Sequence, residues 1–437
     1  MQSIKYELIK NISNKNATIG VFGLGYVGLP LALRFSDVGF KVVGFDIDEK
    51  KITSINNGIS YINDIEDRFI LKATEKGFRA TSNFEETKNI DVIIVCVPTP
   101  LKNKKDPDLS YVINTTEMIL PFLRSGQIYS LESTTYPGTT EEVILPIITS
   151  KGLNIGEDFF LAYSPEREDP GNKEFTTSTI PKVVSGVTDA CLEIAIELYS
   201  NAVTETVPVS STATAELTKL LENIHRAVNI GLVNEMKIVA DKMDINIHEV
   251  IQAASTKPFG FTPFYPGPGL GGHCIPIDPF YLTWKAKQYG IETKFIELAG
   301  RVNTDMPKWV IGKLDIALQK IDKKLISSRI LVLGLAYKKD VSDMRESPAL
   351  KFLDTLNNNS LHVDYADPYI PELGETRSYK LNKKSIDITP DTLKTYDAII
   401  IVTDHTKFDY HMIREHSNLI IDTRNVYKDS FENVVKA

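Results

Sequence analysis

The strongest chemical signal in the sequence is a thiol set among glycines and close to a carboxylate. Residues 271–279 read Gly-Gly-His-Cys-Ile-Pro-Ile-Asp-Pro, with Cys274 followed by Asp278. Glycines let the backbone approach a ligand closely, and prolines oppose helix formation. A thiol in such a loop could attack an electrophilic carbon while the carboxylate handles a proton or a water. The alternative is a buried structural cysteine in a tight turn, because free cysteine usually behaves as a small hydrophobe.

A second signal lies near the N-terminus, where an apolar run over residues 17–22 leads into the glycine loop Gly23–Gly28. A helical pattern follows this loop, and the next strand pattern, residues 41–46, ends in an acid. A strand, a G-x-G-x-x-G loop, a helix and a later acid in this order predict a dinucleotide-binding Rossmann unit. A glycine-rich turn without a ligand is the alternative.

Each part of this loop has an expected role. Gly23 should make the turn, Gly25 should admit the pyrophosphate, and Gly28 should allow close packing of the helix on the strand. Asp46 should hydrogen-bond a ribose hydroxyl and repel a 2′-phosphate, which favours NAD over NADP. The loop residues expected to contact the cofactor are Gly23, Gly25, Tyr26, Val27 and Gly28.

Composition excludes several classes of protein. A chain of 437 residues should hold two or three domains, and its net charge of −8 argues against nucleic acid as the main partner. Three widely spaced cysteines make no disulfide framework, and no Cys-x-x-Cys pattern predicts a metal site. Residues 1–16 lack the apolar core of a signal peptide, and no apolar run is long enough to span a membrane. A cytoplasmic enzyme is expected.

Three further strand patterns end in polar residues. The run 91–97 leads into Pro98-Thr99, the run 127–132 leads into Ser133-Thr134, and the run 159–163 leads into Ser164-Pro165-Glu166-Arg167. Parallel strands present their carboxyl ends at one edge of a sheet, so these residues are candidates for one crevice. Cys96 is predicted to lie inside its strand, in the core.

A long helix is predicted over residues 211–242. Apolar residues recur there at helical spacing, and the helix would span about 45 Å and could join two domains. A polar stripe runs along it, and a solvated face is its usual interpretation; its members are Glu216, Lys219, Asn223 and Arg226. More short helices are expected up to about residue 320. Aromatic residues that flank the cysteine loop are either core or the walls of a sugar and base pocket; they are Phe259, Phe261, Phe264, Tyr265, Phe280, Tyr281 and Trp284.

The last third of the sequence repeats the opening pattern. Residues 329–336 echo the first strand and turn, 361–367 end in an acid, and 397–403 echo 91–97. The fold class predicted is therefore α/β, with two Rossmann-like doubly wound domains joined by a long central helix and a helical segment. The expected boundaries give a NAD-binding domain over 1–208, a central helical domain over 209–322 and a second Rossmann-like domain, for the substrate, over 323–437. The second copy has lost the third glycine and has Tyr337-Lys338-Lys339-Asp340 instead, which suits a nucleotide diphosphate.

Several separate motifs, in this order along the chain, resemble those of the UDP-glucose/GDP-mannose dehydrogenase family. They are Gly23–Gly28 with Asp46, Ser133-Thr134, Ser164-Pro165-Glu166, Lys219-x-x-x-Asn223, Gly271–Asp278, Lys338-Lys339-Asp340 and Arg345-Glu346-Ser347. The resemblance implies a four-electron oxidation of a sugar C6 alcohol to a carboxylate with two NAD+. It also implies that the loop cysteine, here Cys274, adds to the C6 aldehyde, and that water hydrolyses the resulting thioester.

The resemblance also implies roles for the matching residues. Lys219 and Asn223 would stabilise negative charge on the C6 oxygen, and Asp278 would position or activate water. Thr134 and Glu166 would hold the hydrolytic water, with Thr134 also near the cofactor beside Pro98 and Thr99. The UDP-sugar would be bound by residues that include Glu166, Arg167, Lys219, Asn223, Tyr265, Gly271, Lys338 and Arg424. Arg345 resembles a residue that reaches a neighbouring subunit's cofactor, so a homodimer or larger assembly is implied.

The sugar is expected to be a UDP-N-acetylhexosamine. Glucose-specific relatives tend to carry Ser and Lys where this chain has His273 and Ile277, and an acid where it has Pro170. The segment 263–270 is most similar to bacterial UDP-N-acetyl-D-glucosamine 6-dehydrogenases of surface-polysaccharide synthesis. UDP-N-acetylmannosamine, UDP-N-acetylgalactosamine and UDP-glucose remain alternatives. Two other classes also remain alternatives, a two-electron hydroxyacid dehydrogenase and a NAD-sensing protein. The first would form one NADH per substrate and the second none, whereas a nucleotide-sugar 6-dehydrogenase forms two.

Overall fold

The apolar run before the glycine loop is the first strand of an eight-stranded sheet. The first ten strands of the chain are β1 (Thr18–Phe22), β2 (Lys41–Phe45), β3 (Arg79–Thr81), β4 (Val92–Val95), β5 (Leu101–Lys102), β6 (Asp106–Pro107), β7 (Gln127–Leu131), β8 (Phe159–Tyr163), β9 (Lys182–Gly186) and β10 (Thr206–Pro208). The sheet has the order β3-β2-β1-β4-β7-β8-β9-β10, while β5 and β6 pair separately. All neighbours in the sheet are parallel except β8 and β9. The order from β3 to β8 is that of a doubly wound Rossmann sheet.

Two hydrophobic cores lie on opposite faces of this sheet, because successive residues of a strand point to opposite sides. In β4, Val92 and Ile94 belong to one core, and Ile93 and Val95 belong to the other. Helices cover both faces, so all four side chains are fully buried. The helices of this part of the chain are α1 (Ile4–Ser13), α2 (Gly28–Asp37), α3 (Glu49–Asn56), α4 (Asp67–Glu75), α5 (Ser110–Ile119), α6 (Leu145–Thr149) and α7 (Asp189–Ser200), with a π-helix at Thr140–Ile144.

The computed structural model of the protein describes residues 4–62, 65–102, 106–167, 175–272, 275–358, 362–375 and 379–437. These residues form two compact units: Met1–Glu222 with Phe280–Ile291, and Asn223–Pro279 with Glu292–Ala437. Helix α8 (Thr212–Lys242) begins in the first unit and ends in the second. Its 31 residues confirm the long helix predicted over 211–242. The predicted division into three domains at 208 and 322 stays a prediction.

The segment after α8 contains α9 (Ile247–Ala254), α10 (Asp278–Gln288) and α11 (Lys294–Gln319). The expectation of short helices up to about residue 320 holds for α9 and α10, with 8 and 11 residues, and is wrong for α11, which has 26 residues. It continues through Pro307, which is itself buried. Buried side chains on both sides of this proline, from Asn303 to Leu318, hold the helix in place despite the lost backbone hydrogen bond.

The second unit contains a five-stranded parallel sheet with the order β12-β11-β15-β16-β17, built from β11 (Arg329–Leu333), β12 (His362–Ala366), β15 (Ala398–Ile401), β16 (Ile420–Asp422) and β17 (Val434–Lys436). The strands β13 (Glu372–Glu375) and β14 (Lys380–Lys384) form an antiparallel pair. The helices are α12 (Pro348–Asn358), α13 (Pro390–Lys394) and α14 (Tyr410–His416). The strand order 2-1-3-4-5 is the second common doubly wound arrangement. The prediction of two Rossmann-like domains joined by a long helix is confirmed.

Candidate active site

The glycine loop at the carboxyl end of β1 leaves space at one of its three glycines. Gly23 has a φ of +92°, and a Cβ there would lie 2.8 Å from the carbonyl oxygen of Cys96. A Cβ on Gly28, the first residue of α2, would lie 1.9 Å from the carbonyl oxygen of Gly23. A Cβ on Gly25 would have no described atom within 4 Å beyond its chain neighbours. The fold therefore requires Gly23 and Gly28, whereas Gly25 leaves room for a pyrophosphate.

The start of α2 also suits a phosphate. Tyr26 and Val27 are half-buried and pack against the core beneath the loop. Val27 is the residue that caps α2, and its side chain makes no capping hydrogen bond. The first N–H groups of a helix need acceptors and lie at its positive dipole end, so an anion fits here. The geometry of the loop therefore fits the dinucleotide predicted from its sequence.

Asp46 lies directly after β2 and is nearly buried. Its carboxylate accepts hydrogen bonds from Leu24 N at 2.9 Å and from Asp48 N at 3.0 Å. Lys51 Nζ lies 3.0 Å from Asp46 Oδ2, and sequence reasoning missed this lysine. The available signal was a cation in the first turn of the helix that follows the acid. Lys51 neutralises the acid that is predicted to read the ribose, and its side chain remains about one-third exposed.

The residues predicted to share one crevice follow three neighbouring strands. Thr99 follows β4, Thr134 follows β7 and Glu166 follows β8, and these strands are parallel and adjacent. Thr99 is buried, whereas Thr134 and Glu166 are partly exposed and Pro98 is exposed. Cys96 is buried as predicted, although it lies one residue beyond the end of β4 rather than inside it. The topology thus brings the three strand ends side by side.

The turn that carries Glu166 is tied down on both sides. Ser164 Oγ donates to the carbonyl oxygen of Val183 at 2.8 Å. The guanidinium of Arg167 donates to the carbonyl oxygen of Pro181 at 2.6 Å and lies 2.8 Å from Glu222 Oε1 in α8. Arg167 therefore stabilises the turn within the first unit, in addition to any contact with a substrate.

The polar stripe predicted on α8 is mostly buried. Glu216, Lys219 and Asn223 are buried, and only Arg226 has the exposure of a solvated face. In the first unit, Glu216 accepts hydrogen bonds from the N–H groups of Gly138 and Thr140 and from the Thr140 hydroxyl, at 2.5 to 2.9 Å. Burial raises the pKa of Glu216 to about 7 despite these hydrogen bonds. Glu216 therefore anchors the loop that follows Thr134, a role that sequence reasoning missed.

In the second unit, Asn223 Nδ2 donates to Asp278 Oδ2 at 2.6 Å, and both side chains are buried. Asp278 is the first residue of α10. A buried carboxylate held by an amide is a fixed acceptor that could receive a proton or orient a water. Two of the predicted catalytic residues are thus in direct contact, although 55 positions separate them in the sequence.

Cys274, His273 and Pro170 lie outside the described residues. The preceding glycines are described, and both are packed against the second unit's own residues. A Cβ on Gly271 would lie 2.7 Å from Tyr337 Cβ, and Gly272 has a φ of +91° with its N–H donating to the carbonyl oxygen of Arg345. Close packing by itself accounts for both glycines, whatever ligand the loop approaches.

The loop after β11 replaces the glycine loop with charged residues. Lys338 is half-buried and Lys339 is exposed. The Arg345 guanidinium is held by Asp343 of the same loop, at 2.9 Å and 2.6 Å. Arg345 is thus positioned by its own chain and remains about two-fifths exposed.

Arg424 follows β16, and its Nε donates to the carbonyl oxygen of Val402 at 2.7 Å. Its guanidinium lies against Gly267, where a Cβ would be only 2.7 Å from Nη1. Burial, and then the charge of Arg424, lower the pKa of Lys237 to about 7, and this lysine donates to the carbonyl oxygen of Ala437. Sequence reasoning missed Lys237, which lies near the C-terminal end of α8 and belongs to none of the motifs.

The flanking aromatic residues divide between the two interpretations. Tyr281 is fully buried and donates to the carbonyl oxygen of Pro100, so it is core. Phe259, Phe261 and Tyr265 are exposed, and the Tyr265 ring lies nearly parallel to that of His248. Tyr265 is therefore free of core packing and could face a base or a sugar.

The described residues contain neither a cluster of metal ligands nor a helix suited to crossing a membrane. No group of three or more His, Cys, Asp or Glu side chains there could hold a metal ion. Within the same ranges, no helix is both long and apolar enough to cross a membrane.

Sequence models of the UDP-glucose/GDP-mannose dehydrogenase family match the chain in three consecutive segments. The NAD-binding domain matches residues 17–203, the central domain matches residues 213–305, and the UDP-binding domain matches residues 331–429. The matched NAD-binding segment contains the glycine loop, Asp46 and Lys51. NAD is therefore the cofactor of this chain.

The chain is also similar to individual members at full length. It is 37% identical over 396 residues to the UDP-N-acetyl-D-glucosamine 6-dehydrogenase of Pseudomonas aeruginosa, covering 90% of this chain and 92% of the relative. It is 37% identical over 421 residues to the UDP-N-acetyl-D-mannosamine dehydrogenase of Pyrococcus horikoshii, covering 94% and 96%. The solved structure of a UDP-D-ManNAc dehydrogenase from Pyrococcus horikoshii superposes with a TM-score of 0.87 at 35% identity, covering 96% of this chain and 98% of that one.

Proposed function

The chain belongs to the UDP-glucose/GDP-mannose dehydrogenase family, and on that basis we propose that it oxidises UDP-N-acetyl-D-glucosamine at C6 to the uronic acid. Membership makes it a NAD-dependent nucleotide-sugar 6-dehydrogenase. The observation that supports this sugar is the full-length similarity to the Pseudomonas aeruginosa enzyme of that name. The segment 263–270, with His273 and Ile277, also resembles N-acetylhexosamine enzymes. The product would serve surface-polysaccharide synthesis.

A second candidate substrate is UDP-N-acetyl-D-mannosamine. The Pyrococcus horikoshii enzyme of that name is equally identical to this chain, at 37%, over a longer aligned length. The two sugars differ only in configuration at C2, where both carry the N-acetyl group. Direct comparison of turnover must therefore distinguish them.

We propose that the reaction removes four electrons in two steps. In the first step, C6 would lose a hydride and its hydroxyl a proton, which gives an aldehyde; NAD+ held at the glycine loop would supply the hydride acceptor. The Cys274 thiol adds to the aldehyde carbon, and the resulting thiohemiacetal loses a second hydride to a second NAD+ and a proton, which gives a thioester. Water then adds to the thioester carbon, the C–S bond breaks, and the acid and the thiol are released. Each sugar consumes two NAD+ and one water.

The described residues suit that sequence of steps. Lys219 and Asn223 are buried one helical turn apart, and fixed donors of this kind stabilise negative charge that develops on an oxygen. Asp278, held by Asn223, is proposed to accept a proton or orient water. Thr134 and Glu166, at neighbouring strand ends, are proposed to hold the hydrolytic water.

We propose that the second unit binds the nucleotide. Lys338 and Arg424 supply positive charge for the diphosphate and hydrogen-bond donors for the uracil, as the family resemblance implies. Tyr265 offers an exposed aromatic face and Gly271 lies in the cysteine loop. The UDP-binding domain model covers Lys338 and Arg424.

We propose that the protein forms a homodimer or a larger assembly through α8. Exposed apolar side chains follow one another along this helix and at the residue after it, at spacings of three, four and eleven residues, so they form one face; they are Leu217, Leu221, Leu232, Met236, Val239 and Met243. A soluble protein rarely leaves such a face bare. Light scattering after gel filtration should give more than 48.9 kDa, and Leu221→Glu with Met243→Glu should lower the mass.

The substrate proposal is tested by kcat/KM for the four UDP-sugars named above, measured side by side with NAD+. UDP-N-acetyl-D-glucosamine should give the highest value, because a pocket built for an N-acetyl group leaves polar groups unpaired when glucose binds. A higher value for UDP-N-acetyl-D-mannosamine selects the second candidate. The ratio of NADH formed to sugar consumed should be two, and a ratio of one would reject the four-electron reaction.

The thiol chemistry is tested by Cys274→Ser. This variant should bind NAD+ and the nucleotide sugar but lose almost all turnover, because a hydroxyl is a poor nucleophile without a strong base. Substantial uronic acid from this variant would reject the thioester.

A further inference from the structure

A fully buried ion pair lies at the carboxyl edge of the first unit's sheet. Glu132 directly follows β7, and Lys182 is the first residue of β9. Lys182 Nζ lies 2.7 Å from Glu132 Oε2, and the two side chains are 7% and 0% exposed. The ammonium also lies 5.0 Å from the ring centre of Tyr199. None of the motifs recognised in the sequence includes either charged residue.

The pair lies directly beside the turn that carries Glu166. Strands β8 and β9 are antiparallel, with Tyr163 opposite Ser185. Continuing this register three residues beyond β8 brings Lys182 opposite Glu166. Lys182 Nζ lies 3.4 Å from the carbonyl oxygen of Pro165, the residue before Glu166.

Lys182 therefore completes a set of bonds from the segment 181–183 to this turn. Ser164 is bonded to Val183, and Arg167 is bonded to Pro181. Lys182 supplies the contact between these two, at Pro165. Ser164, Pro165 and Arg167, the turn residues around Glu166, are thus each bonded to β9 or to Pro181, the residue before β9.

Stability does not account for a charge pair at this position. Removing two charges from water is costly, and replacing a buried ion pair by apolar side chains is often neutral or stabilising. Burial would lower the pKa of Lys182, but the charges of Glu132 and Glu166 outweigh it and raise that pKa, so Lys182 stays cationic. Burial also raises the pKa of Glu132, and the charge of Glu166 acts in the same direction. Glu166 is therefore electrostatically coupled to both members of the pair.

We propose that Lys182, oriented by its buried counter-ion Glu132, is a positioning residue that fixes the Pro165–Glu166 turn for the hydrolytic step. The proposal rests on the proposed function, in which Glu166 holds the water that attacks the thioester on Cys274. When Glu166 is displaced, that water is misplaced, and displacements of about 1 Å can cost about 100-fold in rate. Hydrolysis should slow while both oxidations continue, so the acyl-enzyme should accumulate.

The decisive variant is the double substitution Lys182→Met with Glu132→Leu. Lys182→Met by itself leaves a buried carboxylate without its cation and is expected to fold poorly, whereas the double variant removes both charges and keeps similar volumes. The double variant should melt close to the wild type and lose kcat by about 10- to 100-fold. Its KM for NAD+ should fall together with kcat, because the slowed step comes after NAD+ has reacted. Mass spectrometry of the intact protein during turnover with UDP-N-acetyl-D-glucosamine and NAD+ should show an acyl adduct on Cys274. The single variant Lys182→Arg, with Glu132 intact, keeps the charge pair and should retain most of the wild-type kcat.

Arg124→Met is the matched control. Arg124 also pairs with a carboxylate, Asp91, at 2.7 Å and donates to backbone carbonyl oxygens, but this pair lies at the amino ends of β4 and β7, away from the Glu166 turn. Arg124→Met should leave kcat and the adduct unchanged. A stable double variant with wild-type kcat and no adduct would overturn the positioning role.

Hydrogen exchange separates this proposal from the proposed function, because it needs no substrate. Exchange at Ser164, Glu166 and Arg167 should be about tenfold faster in the double variant than in the wild type, and unchanged in Arg124→Met. Unchanged exchange would overturn the proposal even if the enzyme is active. Faster exchange in a protein whose wild type oxidises no UDP-sugar would uphold the positioning of the turn and reject the proposed function alone.

Discussion

The two units build the same strand and turn and then use it differently. Gly23 follows β1 with a φ of +92°, and Gly334 follows β11 with a φ of +80°. A Cβ on either would approach a backbone carbonyl oxygen, that of Cys96 at 2.8 Å or that of Thr403 at 2.2 Å. Each turn therefore needs a glycine for the same steric reason.

The two turns differ at the second position after that glycine. In the first unit this position is Gly25, which faces open space among the described atoms, and α2 begins three residues later at Gly28. In the second unit it is Ala336, which is fully buried, and α12 begins only at Pro348. The first turn can receive a phosphate at a helix start, whereas the second is filled by its own side chain.

The acids that follow the second strand of each unit differ in the same way. Asp46 accepts three hydrogen bonds, one of them from the partly exposed Lys51. Asp367 accepts five, from the N–H groups of Leu335, Ala336, Tyr369 and Ile370 and from His405 Nε2 at 3.0 Å. His405 Nδ1 accepts from Asp340 N, so the proton on the ring lies on Nε2, toward Asp367. An acid that can read a ribose in one unit is a structural acceptor in the other.

The largest effect should come from removing the structural acid. Asp367→Ala leaves several buried donors without an acceptor and should destabilise the second unit by about 3–5 kcal/mol. Asp46→Ala should cost the first unit about 1–2 kcal/mol, because its donors are fewer and one can reach water. The chain has two tryptophans, Trp284 in the first unit and Trp309 in the second. Tryptophan fluorescence during urea unfolding therefore reports the first unit in a Trp309→Phe background and the second unit in a Trp284→Phe background. Equal losses in the two units would contradict the distinction between the acids.

The next effect concerns the second position of each turn. Gly25→Ala should weaken NAD+ binding by about 100-fold without unfolding the protein, because the added methyl occupies the space of the pyrophosphate. Ala336→Gly is the matched control: it should leave the KM for NAD+ and for the UDP-sugar unchanged and cost about 0.5–1 kcal/mol of stability. Calorimetric titration with NAD+ measures the first effect. Normal NAD+ affinity in Gly25→Ala would remove this glycine from the phosphate site.

Two buried carboxylates should give the units opposite responses to pH. The pKa of Glu216 is raised from 4.5 to about 7 by burial, so its stabilising contribution is present below 4.5 and is lost as the pH rises toward 7. Burial acts against ionisation of Asp367 as well, but His405 and the backbone donors lower its pKa below 3.8, so its contribution is present above 3.8 and lost on acidification. The Trp284 signal should show stability that falls by about 2 kcal/mol from pH 4.5 to 7, and Glu216→Gln should flatten that slope. An unchanged slope in Glu216→Gln would show that another group causes it.

The smallest effect concerns cofactor choice. Wild type should prefer NAD+ strongly, and Asp46→Ala should narrow the ratio of kcat/KM for NAD+ over NADP+ by about tenfold, since the repulsion of a 2′-phosphate is gone. Lys51, released from Asp46, is then available to that phosphate. Asp367→Asn serves as the control and should leave the ratio unchanged. Equal use of both cofactors by the wild type would exclude Asp46 as the selecting residue.

Local sequence patterns determined the architecture of this protein. The glycine loop, the apolar runs of the strands and the helical spacing over 211–242 are periodic or contiguous signals, so they predicted both sheets and α8 without knowledge of any long-range contact. The same signals failed for α11, where Pro307 marks a break that tertiary packing overrides. They also gave no warning that Lys219 and Asn223 are buried, because a polar stripe on a helix usually faces solvent.

The pairing of residues that are distant in sequence was decided only by the tertiary structure. Asn223 meets Asp278, Glu132 meets Lys182, and Asp367 meets His405, at separations of 55, 50 and 38 residues. Each meeting depends on strand order, on register or on the point where a helix begins, and none of these is encoded by residue type at one position. The sequence by itself therefore determined which chemical groups the protein has and on which elements they lie. The fold decided that Asp46 can still accept a hydrogen bond from a ligand and that the acceptor positions of Asp367 are occupied by the protein's own donors. This depends on how many donors the surrounding chain brings within hydrogen-bonding distance.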